Sequence, residues 1–207
     1  MINRLLHIRA IRGSLFFFIL VALPALAQTN ALAPDDPFPK LSAGDLVKIL
    51  STSEDKARTA QVAQALGDRA IAGPLKLSDE EAKTLHAVVT TYIQNARSPA
   101  TMKEADLQIQ RLWHLAMPAL MDGLDNIDTY SFSARCLSIM KNETIARALV
   151  EKTQKTTDNT RKGLLKFALQ SLKSLRTPSV AGRAAVSQTE ADRLNREIIT
   201  PALEELQ

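Results

Sequence analysis

The stretch DKARTAQVAQAL at residues 55–66 recurs as DNTRKGLLKFAL at residues 158–169. Both stretches begin with Asp-x-x-Arg, carry an aliphatic residue at the eighth position and end in Ala-Leu. The same offset of 103 residues aligns Leu-Val at 46–47 with Leu-Val at 149–150. A repeated helix–turn–helix unit is too small to bury its own apolar face, so neighbouring units stack on each other. The repeat therefore predicts an all-α fold, a right-handed solenoid-like stack of antiparallel helix pairs.

Helix start and stop signals divide residues 42–176 into such pairs. Ser42 and Ser78 each precede an acidic residue by three positions, which is the pattern of a capping box. Gly67 and Pro99 are expected to break helices, whereas Pro118 fits the first turn of a new short helix. No long segment alternates with a period of two, so no β-sheet is expected. The alternative fold is an irregular helical bundle whose helices share an amphipathic spacing.

The first 27 residues have the composition of a secretory signal peptide. Three arginines precede an apolar run at residues 15–23, and Ala25-Leu26-Ala27 supplies the small residues that signal peptidase needs. We expect cleavage after Ala27 and a periplasmic or secreted protein. Removal of this segment lowers the net charge from +4 to +1, because it carries those three arginines and no acidic residue. A nucleic-acid partner is therefore not expected.

Two further segments are predicted to flank the repeats. Residues 28–41 contain three prolines and are expected to form a disordered linker. Residues 177–188 are mostly small and are expected to form a loop. A C-terminal helix is predicted over residues 189–207, with a break or kink near Pro201.

Few residues of the mature chain suit catalysis or metal binding. His86 and His114 fit no paired metal-ligand spacing, and Cys136 lies among apolar residues and is expected to be buried and inert. An acidic cluster consists of Asp122, Asp125 and Asp128. Its spacing is not that of a calcium-binding loop, and acidic residues at a helix–helix turn usually act as caps. We expect no cofactor, no metal site and no enzymatic activity.

Charge is unevenly distributed along the mature chain. Residues 28–134 carry 10 basic and 14 acidic side chains, residues 135–183 carry 11 and 3, and residues 184–207 carry 2 and 5. Three lysines of the basic segment fall on one helix face, because their positions differ by 4 and 11. They are Lys162, Lys166 and Lys173. They are candidates for a surface that binds an anionic partner, such as lipid headgroups or an envelope polymer.

Two other interpretations of the three lysines stay open. They can form a solvated face of an exposed helix, as charged runs usually do. Alternatively, the acidic C-terminal helix at residues 189–207 folds over this face and caps the stack. The second interpretation accounts for the charge pattern without any partner.

The helix pairs resemble HEAT-type repeats of the short bacterial variety over roughly residues 43–176. The resemblance is carried by Asp-x-x-Arg at 55–58 and 158–161 and by the proline-initiated helix Met117-Pro118-Ala119-Leu120. The unit around Asp128 has Ser131 in place of the arginine, and the unit near Ser98 lacks both residues. HEAT-like repeats serve as scaffolds, so the resemblance implies a non-catalytic protein that binds a protein or peptide. The alternative function is envelope-surface binding through residues 135–183.

Overall fold

The computed structural model describes residues 36–174 and 186–206. All regular secondary structure within these ranges is helical, which confirms the predicted all-α class. The helices are α1 (Ala43–Thr52), α2 (Lys56–Ala72), α3 (Asp79–Asn95), α4 (Pro99–Leu112), α5 (Met117–Gly123), α6 (Tyr130–Ile139), α7 (Glu143–Lys155), α8 (Asn159–Ser174), α9 (Gln188–Leu194) and α10 (Thr200–Glu204). A 3-10 turn, Trp113–Ala116, joins α4 to α5, and a π-helical turn, Asn195–Ile199, joins α9 to α10.

Some predicted features lie outside the described residues. They are the signal peptide at residues 1–27 with its cleavage site, residues 28–35 of the linker, and the loop at residues 177–185. The predicted helix end near Arg176 also lies there.

Local caps explain where several helices begin. Ser42 and Ser78 form complete capping boxes with Asp45 and Glu81, so each serine accepts a backbone N–H and each carboxylate binds the serine N–H. Asn142 caps α7 through a 2.8 Å hydrogen bond from the Ile145 N–H. The helix starts at Ser42 and Ser78 agree with the prediction because the cap residues act within one turn.

The predicted helix break at Gly67 is wrong. Helix α2 continues through Gly67, which is buried within it, and ends at Ala72, before Gly73 and a proline. A glycine inside a helix costs about 1 kcal/mol, and packing of a buried face outweighs that cost. The predicted break at Pro99 is confirmed: α3 ends at Asn95, and Pro99 occupies the first position of α4, where its missing N–H is no loss.

The helices pack in consecutive pairs, and each pair packs on the next. Four pairs of consecutive helices pack together: α1 with α2, α3 with α4, α5 with α6, and α7 with α8. Each pair also contacts the next, through α1–α3, α2–α4, α3–α5, α4–α6 and α6–α8. One apolar core runs through all of these contacts, so no pair buries its apolar face alone.

The two repeated stretches occupy equivalent places in this arrangement. Asp55 accepts backbone N–H bonds at the start of α2, and Asp158 accepts the Arg161 N–H at 2.8 Å at the start of α8. The matched apolar positions of both helices are buried: Val62, Ala65 and Leu66 in α2, and Leu165, Ala168 and Leu169 in α8. The internal repeat therefore encodes a capped helix packed on the helix before it.

The C-terminal segment packs on the last pair rather than extending away. Ile199 is fully buried in the main core, and α10 and the π-helical turn both contact α8. The turn contains a backbone bond from the Thr200 N–H to the Asn195 carbonyl, which is the i→i−5 spacing. It lies directly before Pro201, which has no N–H to donate. The predicted break is thus a local widening of the helix. Helix α9 begins after Ser187, whose side chain caps it by accepting the Glu190 N–H.

Residues 36–41, which the proline content assigns to a disordered linker, are instead held against α2. Arg69 donates to Asp36 Oδ2 at 2.7 Å, to the Leu41 carbonyl at 2.7 Å and to the Phe38 carbonyl at 2.6 Å. The side chains of Arg69 and Asp36 are 11% and 2% exposed. Composition does not predict this ordered segment, because its order comes from one buried arginine that donates hydrogen bonds to two of its backbone carbonyls.

Candidate functional site

A pocket of about 530 Å³ lies between the first two helix pairs. It is formed by the end of α1, the start of α2 and the facing sides of α3 and α4. Its lining includes Leu50, Ser51, Ser53, Glu54, Lys56, Thr59, Val88, Thr91, Tyr92, Asn95, Thr101, Glu104, Ala105 and Gln108. We call this pocket the α1–α4 groove. Its volume lies within the range of ligand sites in proteins.

Gln108 on α4 is the most unusual residue of the groove. It is only 6% exposed, and within the described residues its side-chain oxygen is buried without any hydrogen-bond partner. A buried carbonyl without a donor is costly, and such groups are rare in folded proteins. Because this oxygen is inaccessible to solvent, a ligand in the groove does not reach it in this conformation.

Charged and aromatic side chains surround the same groove. Glu104, one helical turn before Gln108, forms an ion pair of 2.9 Å with Lys56, and the two side chains are 47% and 79% exposed. The pKa of the Tyr92 phenol is raised above its ordinary value, first by burial and then by the Glu104 carboxylate. Tyr92 therefore stays protonated at neutral pH and can donate a hydrogen bond.

The three lysines predicted to bind an anionic partner all lie on α8. Lys166 Nζ donates to the Leu206 carbonyl at 3.3 Å, and the Lys173 carbonyl accepts the Asn195 amide at 3.2 Å. Lys166 and Lys173 also line a second pocket, of about 540 Å³, together with Glu204 and other residues of α8 and the C-terminal segment. The C-terminal segment thus contacts the lysine face. Anionic binding by Lys162, Lys166 and Lys173 stays a prediction.

Many other basic side chains between residues 135 and 174 have partners within the chain. The ion pairs are Arg135–Asp106 (3.3 Å), Arg147–Glu143 (2.7 Å), Lys152–Asp125 (2.7 Å) and Lys155–Glu151. Lys141 is 1% exposed and donates to Asn195 Oδ1 at 2.8 Å. Burial lowers the pKa of Lys141. The positive charge of this segment is therefore largely used in internal contacts.

The histidines and the acidic cluster serve as partners of other helices. His86 Nε2 lies 3.0 Å from Asp122 Oδ2, which joins α3 to α5. His114 lies 3.2 Å from the Asn142 amide at the start of α7. Asp125, a second member of the acidic cluster, pairs with Lys152. Across residues 36–174 and 186–206 no group of three or more His, Cys, Asp or Glu side chains is placed to hold a metal ion.

Cys136 is buried, as predicted. Its thiol lies 3.6 Å from Asp106 Oδ1. Burial, followed by the charge of Asp106, raises the pKa of this thiol well above its ordinary value. A thiol in this state holds little thiolate and is a poor nucleophile.

The α1–α4 groove was not predicted from sequence, although a signal for Gln108 was present. Leu107 is 42% exposed, whereas Gln108 is buried beside Ala105, Ile109 and Leu112. Positions 105, 108, 109 and 112 follow the i, i+3, i+4, i+7 spacing of one helix face. Spacing thus places Gln108 on the buried face, even though its polar side chain suggests otherwise.

No protein-family model, curated protein or solved structure matches the chain significantly. Among the described helices, none combines the length and the apolar character needed to cross a membrane.

Proposed function

We propose that the protein is an exported, non-catalytic helical-repeat scaffold that binds a protein or peptide partner. The α1–α4 groove carries the proposal, because it combines a ligand-sized volume with exposed polar side chains, among them Lys56, Thr91 and Asn95. A site of this kind binds by shape and hydrogen bonding and needs no reactive group.

The pattern of contacts between the helices supports a repeat scaffold. Consecutive helices form pairs, and each pair contacts the next through alternate helices, which supports the proposed solenoid-like stack of helix pairs. Stacks of this kind use their long surfaces to hold extended partners. The resemblance of residues 55–58 and 158–161 to HEAT-type repeats favours the same function.

Envelope-surface binding through residues 135–183 has less support. Four ion pairs and the buried Lys141 engage much of this segment, and the C-terminal segment contacts the α8 lysines. Charges already paired within the chain attract an anionic surface less strongly.

Position-specific photo-crosslinking in the native host tests the proposal. Benzoylphenylalanine is placed at Asn95, an exposed residue of the α1–α4 groove, or at Lys155, an exposed residue of α7 outside the groove. We expect a discrete adduct from position 95 that is absent from position 155. Identical adducts from both positions, or none from position 95, would overturn the proposal.

A further inference from the structure

We infer that the second pocket, between α8 and the C-terminal segment, binds the carboxylate group of an organic ligand. We call it the α8 pocket. Its volume of about 540 Å³ lies within the range of ligand sites in proteins. The α8 pocket and the α1–α4 groove share no residue, so the inference does not depend on the proposed scaffold function.

Two facing helical surfaces form the α8 pocket. Helix α8 contributes Lys166, Gln170 and Lys173, whose positions follow the i, i+4, i+7 spacing of one helix face. The C-terminal segment contributes Asn195 and Thr200, which are five positions apart. Residues five apart point in different directions on an α-helix, but the i→i−5 bond of the π-helical turn brings these two to the same side. Such π-helical turns are frequent at functional sites.

The α8 pocket contains cationic donors that a ligand can reach. Lys173 is exposed, and within the described residues its ammonium forms no hydrogen bond or ion pair. Lys166 is half-buried, and its one bond, to the Leu206 carbonyl at 3.3 Å, leaves further donors of the ammonium available. A hydrogen bond between an ammonium and a carboxylate is stronger than one between neutral groups.

A buried lysine fixes the orientation of a third donor, the Asn195 amide. Lys141 is 1% exposed and donates to Asn195 Oδ1 at 2.8 Å. Because an ammonium can only donate, this bond identifies the amide oxygen and leaves the amide N–H groups on the other side. One N–H binds the Lys173 carbonyl at 3.2 Å, and the second is left for an acceptor in the pocket. Lys141 is therefore a positioning residue.

The charges of the α8 pocket favour a ligand with a single negative charge. Lys166 and Lys173 contribute two positive charges to the lining and Glu204 contributes one negative charge, so the net charge is +1. The charge of Lys141 is offset by the nearby carboxylate of Asp192. A carboxylate matches the net charge of the lining. A phosphate monoester carries nearly two negative charges at neutral pH and would exceed it.

The test is an NMR titration of the full chain with sodium hexanoate. Its hydrocarbon chain suits the methylene groups of the lining lysines. Hexanamide is the neutral control, hexyl phosphate is the dianionic control, and sodium chloride holds the ionic strength constant, because salt screens exposed charges.

We expect hexanoate to shift the backbone amide signals of Gln170, Lys173, Asn195 and Thr200, and hexanamide to shift them far less. Equal shifts by hexanamide, or tighter binding of hexyl phosphate, would overturn the inference.

Variants of opposite expected effect identify the groups that bind. Lys173→Gln is expected to weaken hexanoate binding about fivefold, the effect of losing one exposed ion pair. It keeps the backbone carbonyl that Asn195 binds, so it should not disturb the fold. Glu204→Gln removes the acidic residue of the lining and is expected to tighten binding by a similar factor.

Lys162→Gln is the matched control, because Lys162 lies on the same helix but does not line the pocket. We expect this control to change the affinity far less than Lys173→Gln. Equal weakening by the two variants would indicate an extended lysine surface and overturn the α8 pocket as the site. No effect of Glu204→Gln would contradict the charge argument.

The source of the carboxylate is tested with a peptide. Acetyl-Gly-Gly-Leu carries a free C-terminal carboxylate, and its amidated form is the control. Tighter binding of the peptide acid than of hexanoate assigns the site to a peptide end, and tighter binding of hexanoate assigns it to a small organic acid. If neither shifts the signals of the pocket, the inference is wrong, whereas crosslinking from Asn95 still decides the scaffold function.

Discussion

Replacement of Ile199 by alanine tests whether the C-terminal segment packs on α7 and α8 as an integral part of the domain. Ile199 is fully buried in the main core, within the π-helical turn that contacts α7 and α8. Removing its side chain leaves a cavity beside these two helices. If this packing holds, the substitution lowers the stability of the whole domain.

The expected cost follows from the complete burial of Ile199. Truncation of a buried isoleucine to alanine costs about 2–5 kcal/mol, the sum of lost apolar transfer and the residual cavity. We expect about 3 kcal/mol, which lies within that range. For a domain of this size, each kcal/mol lowers the melting temperature by about 2–4 °C. The melting temperature of Ile199→Ala should therefore fall by about 6–12 °C.

Circular dichroism at 222 nm, followed during heating and during urea titration, measures the effect. Ile127→Ala is the matched control, because Ile127 undergoes the same change in chemistry but is 69% exposed. The control should change the free energy of unfolding by about 0.5 kcal/mol at most. Equal stability of Ile199→Ala and Ile127→Ala would refute the packing of the C-terminal segment.

Three further predictions concern the caps, the N-terminal anchor and the thiol. Asp55→Ala and Asp158→Ala each remove a helix cap and should each lower the free energy of unfolding by about 1 kcal/mol in urea titrations. Burial alone would raise the pKa of Asp36, but the hydrogen bond from Arg69 and the other favourable contacts outweigh it and hold the pKa below its ordinary value. The contribution of Asp36 to stability is complete above its unfolded pKa of about 4 and is lost as pH falls through its lower folded pKa. The free energy of unfolding of the wild type should therefore fall more than that of Asp36→Asn between about pH 5 and 3. Cys136 should resist alkylation by iodoacetamide in the native chain and react once urea unfolds it, as mass spectrometry will detect.

The positions of most helices could be predicted because their causes are local. The boxes at Ser42 and Ser78 and the Pro118 start each act within a single turn. The 103-residue repeat was also informative, since both copies form a capped helix that packs on the helix before it.

The features that could not be predicted depend on contacts between distant residues. Helix α2 continues through Gly67 where that side of the helix is buried, and this burial comes from packing within the domain. The anchoring of residues 36–41 depends on Arg69, 28 to 33 positions further along the chain. The α1–α4 groove depends on the separation of four helices, and only the spacing of Gln108 hints at its burial.

Contacts within the domain already engage several charged residues of the basic half. Arg193 of the C-terminal segment pairs with Glu143 at 2.5 Å, and Lys141 and Lys166 donate to two uncharged acceptors of that segment, the Asn195 side chain and the Leu206 carbonyl. These contacts hold the C-terminal segment against the basic helices. In the acidic half, by contrast, Glu54 and Glu104 line the α1–α4 groove together with one basic residue, Lys56. Charge also points to a partner there, because the groove has one more acidic side chain than basic ones.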